Sequence, residues 1–256
     1  MPHSGTHLPP AMEGRLTAAA VALPDTDWHI PELYDFLEEL DASVIIASHS
    51  RYYIDLNRDP DGKTLYPGAS NTELCPTTTF AGASIYRPGQ TPSDAEIAER
   101  REAVWRPYHT ALAEELATIR ARHGTALLWD AHSIKSQVPR FFEGRLPDLN
   151  LGTGDGISAG QGLADLLSSV ARDGEENLGF SHAMNGRFKG GYITRYHGRP
   201  RAGVHAVQLE LSQITYMDED PPHNFREDLA AKVRPLLAGL LQTMQAWAEL
   251  EGVTQS

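Results

Sequence analysis

The chain has 256 residues, 41% of them hydrophobic and 22% charged, with a formal net charge of -12 at pH 7. This balance excludes a disordered chain, and the acidity argues against nucleic acid as the main partner, because phosphate backbones need a basic surface. No stretch approaches the roughly 18 apolar residues of a membrane span, MPHSGTHLPP lacks the regions of a signal peptide, and the lone Cys75 suits a reducing cytoplasm.

The first dozen residues are rich in Pro, Gly and Ser and read as a loop, followed by a short helix over 14–20. A better helix begins at Asp27 or Pro31, with Ile30, Leu33, Tyr34, Leu37 and Leu40 on one face. SVIIAS, residues 43–48, is a compact β-branched run that predicts a buried strand, and YYIDLN predicts a second strand or its continuation. Residues 59–92 are turn-rich, a length of irregular chain that points to function. Ser93 and Glu96 form a capping box at the head of a long helix that stops at Gly124, with Pro107 as a kink or break.

TALLWDAH predicts a strand, and residues 133–160 read as loop. GLADLLSSVAR predicts a helix and RFKGGYITRYH a strand with a polar mouth. GVHAVQLELSQ is the clearest alternating strand, with Val204, Ala206, Gln208 and Glu210 on one face. An amphipathic helix over 224–250 closes the chain. Alternating strands and helices predict one domain over 1–256, a three-layer αβα sandwich around a mixed, mostly parallel sheet.

Several polar groups sit where such a fold places ligands. Asp130 and His132 end an apolar strand, and parallel strands deliver binding groups at their carboxyl ends. His3 lies in a PHSG turn, and Asp25, Asp27 and His29 alternate in DTDWH. Imidazole with carboxylate is the ligand mixture of a catalytic zinc, although these residues lie far apart in sequence and no HExxH is present. Glu210, inside VQLELSQ, is either paired with an arginine or facing water, or it is a general base of shifted pKa. Arg51 and Arg58 flank Asn57. They form either a carboxylate clamp with an oxyanion-stabilising partner or surface pairs with Asp55 and Asp59. Arg187, Lys189, Arg195, His197 and Arg199 make a positive rim or a basic hairpin without a ligand. Cys75 reads as structural; a hydrolase using Ser133 or Cys75 is a weaker alternative.

In this order, PHSGTHLPP, DTDWHIPELYDF, SRYYIDLNRD, LYPG, RPYH, DAHSIKSQVPRFFEG, LPDLNLGT, NGRFKGGYITR and QLELSQITYMDE resemble the N-formylglutamate amidohydrolase family. The resemblance implies hydrolysis of N-formyl-L-glutamate to L-glutamate and formate, the last step of one histidine degradation route, in the cytoplasm. It implies a fold like the zinc carboxypeptidases and aspartoacylases (phosphorylase/hydrolase-like). It implies zinc, or another divalent metal, on His3, Asp27 and His132, with Asp25 as second choice to Asp27 and Asp130 orienting a neighbour. Glu210 and Arg51 become catalytic. Asn57 and Arg58, in a DLNR similar to an aspartoacylase motif, hold one substrate carboxylate, and Arg187, Lys189 and His197 supply the receptor for the other. The expected partner is a small anionic amino-acid derivative, with neither nucleic acid nor membrane; the oligomeric state is not specified. The apolar strand that precedes PHSG in the family is missing as written, which implies a displaced or truncated start. The alternatives are a related N-acyl amino acid amidohydrolase and a catalytically disabled zinc- or ligand-binding homologue.

Overall fold

The structure is a computed structural model that describes residues 1–63 and 71–254. The LYPG motif, residues 65–68, lies outside the described residues. Four strands form one sheet: β1 Ala126–Ile134, β2 Leu149–Gly152, β3 His182–Met184 and β4 Val204–Ser212. Their order is β1-β4-β2-β3, with β1 parallel to β4, β4 antiparallel to β2, and β2 parallel to β3. The mixed, mostly parallel sheet expected from the alternating pattern is therefore present.

The period-2 alternation of β4 decides its two faces. Val207, Leu209 and Leu211 are fully buried in the main core with Ala131, the inner face of α6 (Leu163–Leu178) and α8 (Glu227–Thr254). On the opposite face, Ala126 packs with Leu112, Leu116 and Ile193. These come from α5 (Arg106–His123) and α7 (Tyr192–His197). Helices thus cover both faces. His132 and Glu210 are register partners on β1 and β4, so their side chains emerge next to each other at the carboxyl ends of two parallel strands.

The long helix starts as its sequence demands, with Ser93 and Glu96 completing a reciprocal capping box. It ends at Gly124, whose φ of 79° suits a residue without Cβ. It is not uniform. α4 (Asp94–Arg100) passes through a π-turn, Arg101–Trp105, into α5. Pro107 lacks an N–H, and the wider turn just before it absorbs the mismatch.

Other expectations require correction. The helix expected over 14–20 is not one helix: a single turn, α2 (Ala18–Val21), overlaps its end, and another, α1 (Pro10–Glu13), precedes it in the stretch expected as loop. The helix expected to about residue 40 is one α-turn, α3 (Ile30–Leu33), continued by a 3-10 stretch over Asp35–Leu40. SVIIAS is not a strand, and Val44 and Ile46 are 45% and 49% exposed. A ladder needs consecutive partners, and here the neighbouring backbone offers isolated ones. The Met1 ammonium donates to Ile45 O (3.0 Å), and Ala47 N–H donates to Met1 O (3.1 Å). No strand of the described sheet comes from the first 125 residues. YYIDLN is irregular, because its polar side chains bind other parts of the chain and, among the described residues, no strand runs beside it. RFKGGYITRYH holds α7, where Tyr192 and Tyr196 stack at i,i+4 with ring centroids 5.0 Å apart. β2 was hidden by its shortness and by the glycines and prolines around it. The helix expected over GLADLLSSVAR runs on to Leu178.

These placements separate two apolar substitutions. Leu209→Ala should cost about 2–5 kcal/mol in urea denaturation. Ile46→Lys should change stability by under about 0.5 kcal/mol. Comparable losses in both would mean that Ile46 is buried after all.

Candidate metal centre and active site

Three side chains from distant parts of the chain meet at the carboxyl end of β1. The His132 Nδ1 lies 3.1 Å from Asp27 Oδ2, and the His3 Nδ1 lies 3.7 Å from the same oxygen. Their ligand atoms all fall within 4.8 Å of one another, and all three residues are buried. The turn carrying Asp27 is tied to the N-terminal stretch by Asp27 N–H donating to His3 O (3.1 Å). Two imidazoles and a carboxylate are a donor set that suits a divalent cation such as zinc. The Asp27 Oδ1 is buried without a hydrogen-bond partner, with Arg51 Nη1 3.6 Å away, and Oδ2 is the oxygen that both imidazoles approach. The residues therefore fit the metal.

The far edge of each ring faces another acid. The His3 Nε2 lies 2.7 Å from Asp55 Oδ1, and the His132 Nε2 lies 3.0 Å from Asp130 Oδ1. Carboxylates in this place fix ring orientation and leave the other nitrogen for a metal. Asp55 also accepts from Arg51 Nη2 and from Asn57 N–H, each at 2.9 Å. Asp130 accepts from Thr194 Oγ1 at 3.0 Å.

Burial alone would raise the pKa of each of these acids, yet their partners reverse it. Arg58, His3 and Arg51 draw Asp55 well below the usual range. The His132 ring is the main partner lowering Asp27 and Asp130. Burial works against charge on His132 itself, but Asp130 and Asp27 push it up to about 10. The crevice thus favours positive charge. Glu210 goes the other way: burial raises its pKa, reinforced by Asp27 and Asp130 and opposed by His132 and Arg51. A carboxyl group so raised exchanges protons closer to neutrality than a solvated glutamate does.

His3, His132 and Glu210 open into a cleft whose walls include Arg51, Arg58 and Arg187. Arg51 lies 3.6 Å from Asp27 and caps the ring of Phe80 at 4.7 Å. Arg58 donates to Thr72 Oγ1 (2.7 Å), and Arg187 Nε donates to Phe141 O (2.6 Å). Asn57 reaches the cleft wall with its side chain engaged internally. Its Oδ1 accepts from Ile193 N–H (2.8 Å), and its Nδ2 sits 2.9 Å from His132 Nε2. A Cβ on Gly191 would come within 2.3 Å of Asn57 Nδ2, so this close approach requires glycine.

Two expected binding residues stand elsewhere. Lys189 pairs with Asp155 at 3.1 Å on the exposed side of the loop. His197 is buried and stacks on His109, with its Nε2 3.0 Å from His109 Nδ1. Asp25 accepts from Tyr52 Oη (2.6 Å) and Phe80 N–H (2.8 Å), and so holds a loop, away from the triad. Ser133 is bound to Tyr216 Oη (2.7 Å), and burial pushes the Cys75 thiol up to about 11, which suits neither as a nucleophile. Asp55, expected only as a surface partner of the arginines, is buried. Its flanking residues, Ile54 and Leu56, are buried, and an acid between two buried aliphatics was the available signal. Gln208, which accepts from Gly191 N–H at 2.7 Å, was missed although it shares a strand face with Glu210.

A family model described as N-formylglutamate amidohydrolase matches residues 1–217. The chain belongs to the N-formylglutamate amidohydrolase family. The N-formylglutamate deformylase of Pseudomonas aeruginosa is 54% identical over 247 residues, 96% of this chain and 91% of that protein. The enzyme of that name from Pseudomonas putida is 51% identical over the same shares. The crystal structure of N-formylglutamate amidohydrolase from Ralstonia eutropha JMP134 superposes with a TM-score of 0.76 at 28% identity. That alignment covers 97% of this chain and 91% of that one. The span matched to the N-formylglutamate amidohydrolase family contains the whole cleft, from His3 to Glu210, and stops before α8.

The histidine pair under the cleft gives a pH signature. Burial pushes both His109 and His197 down to about 4. The unfolded chain protonates them near the ordinary value of about 6.5. Between these values the unfolded state binds more protons, so their contribution is complete above about 6.5 and is lost as pH falls toward 4. The urea midpoint should drop across this window, and drop less in a His109→Gln, His197→Gln double variant. Parallel slopes for the two proteins would refute the assignment.

Proposed function

We propose that the chain hydrolyses N-formyl-L-glutamate to L-glutamate and formate, with zinc as the resident metal on His3, Asp27 and His132. The observation that carries this reading is the register of His132 with Glu210, in a cleft that also presents three arginines. The names of the Pseudomonas relatives support the substrate. A divalent cation there would supply positive charge that acidifies a water and polarises a carbonyl oxygen.

The side chains divide the remaining work. Arg58 and Arg187 receive the two carboxylates of the substrate, whose charge needs cationic partners. Arg51, nearest the triad, stabilises the charge that develops on the formyl oxygen. Glu210 takes a proton from water as the water oxygen bonds to the formyl carbon. It then returns that proton to the amide nitrogen as the C–N bond breaks. The other water hydrogen leaves with formate.

We also read the fold as akin to the zinc carboxypeptidases and aspartoacylases, the reaction as the last step of a histidine degradation route, and the location as the cytoplasm. Placement of His132 and Glu210 at the carboxyl ends of β1 and β4 supports the first. For the last, the sole cysteine is free and buried, and no helix of the described residues is long and apolar enough to cross a membrane.

Glu210→Gln should lower kcat by about 10²–10⁴-fold while elemental analysis finds unchanged zinc. A near-normal rate would remove Glu210 as the base. Chelation should abolish turnover and added zinc should restore it; activity that survives complete metal removal would sink the metal assignment. Arg58→Ala should raise KM for N-formylglutamate by about 10–100-fold and barely affect an uncharged formyl amide. Equal effects on both would exclude a carboxylate clamp.

A further inference from the structure

The segment that carries Asp55, Asn57 and Arg58 has no regular secondary structure, so its carbonyls need partners from outside. The long helix supplies four. Arg100 Nη1 donates to Tyr53 O (2.9 Å), and Arg101 Nη1 donates to Pro60 O (3.1 Å). Trp105 Nε1 donates to Arg58 O (3.0 Å), and His109 Nε2 lies 2.8 Å from Leu56 O. The last two bracket Asn57. A carbonyl only accepts, so His109 carries its proton on Nε2, and its Nδ1 accepts from His197 Nε2.

The π-turn explains how one helix face keeps this row. Residues four apart on an α-helix drift by about 40° around the axis. The wider turn over Arg101–Trp105 winds less per residue, so Trp105 stays over the face that Arg101 uses. Trp105 then stacks on His109 with centroids 3.8 Å apart.

We infer that Trp105 and His109 are positioning residues: by clamping the carbonyls of Arg58 and Leu56, they hold Arg58 in the cleft wall and Asn57 against His132 and Ile193. The kinetic part of this inference rests on the proposed hydrolysis; the conformational part does not.

The test uses the full chain loaded with zinc. Trp105→Phe keeps an aromatic ring over His109 and removes the N–H donor together with part of the buried ring. His109→Phe removes the other donor. Arg106→Ala, on the same helix, is the control, since Arg106 is exposed and pairs with Glu102. Five quantities are read: kcat and KM for N-formylglutamate, the dissociation constant of glutarate as an unreactive dicarboxylate, hydrogen exchange of the Ile193 amide, and the urea unfolding midpoint. Trp105→Phe should raise KM and the glutarate constant about three- to tenfold, with kcat within about twofold and a cooperative unfolding transition at a lower urea midpoint. His109→Phe should lower kcat and speed Ile193 exchange, each by about three- to tenfold. Arg106→Ala should change none of these.

Wild-type KM and glutarate binding in Trp105→Phe would overturn the clamp. So would unchanged Ile193 exchange in a folded His109→Phe, or equal effects from Arg106→Ala. If His109→Phe does not fold, Trp105→Phe decides alone. A wild-type chain that leaves N-formylglutamate intact would refute the proposed function, and the exchange rates would then decide the clamp.

Discussion

Four carboxylates, those of Asp27, Asp55, Asp130 and Glu210, share one buried crevice, and the architecture around it follows from keeping the three aspartates compensated. An isolated buried carboxylate is very costly, and several within one crevice repel one another as well. The three aspartates are compensated by histidine and arginine side chains, whereas the Glu210 carboxyl is raised by burial. Asp55 takes His3 from the N-terminus and Arg51 from its own turn. Asp27 and Asp130 share His132. Removing any one partner would expose another group's charge to a dry environment. The N-terminal residues, the 24–28 turn and the 50–58 segment are thus held by electrostatics where the sheet offers no ladder to hold them.

Legibility of the sequence divides along the same line. β1, β4 and the long helix were readable because their signals are local: alternation, a capping box and a terminal glycine. His132 and Glu210 inherited that clarity, since their positions on strands fix the face they occupy. The expected strand at SVIIAS failed because β propensity specifies a half-buried surface without specifying a neighbour. Asn57 and Asp55 were harder. Their roles depend on which loops converge, and nothing within ten residues of either shows that His3 or Ile193 will arrive beside them.

His197 and Lys189 stand outside the cleft wall. A run of cations and glycines reads as a binding rim, yet cations on one loop need not share a direction. The turn at Gly190 and Gly191 leads straight into α7, which sends His197 inward to His109 and leaves Lys189 outside with Asp155. Arg187, upstream of that turn, keeps its guanidinium at the cleft beside Phe141 and Phe188. Glycine here does geometric work: Gly191 is where backbone and Asn57 come closest, so the same residue that redirects the chain also seats the amide against His132.

Strand direction sets where these groups meet. β1 and β4 run parallel, so their carboxyl ends, and the loops that leave them, lie at the same end of the sheet. That places His132 and Glu210 side by side and puts Ile134, just beyond His132, in the wall of the same cleft. β2 runs the other way and contributes no acid or base there. Its Asn150 instead donates its amide to the backbone carbonyl of Glu210 at 3.1 Å, fixing the strand on which the acid is mounted. An antiparallel β4 would have left 132 and 210 in the cleft only if both strands ended there in opposite senses, with their following loops at opposite ends. The parallel pair makes the convergence of imidazole, carboxylate and cleft wall a consequence of topology.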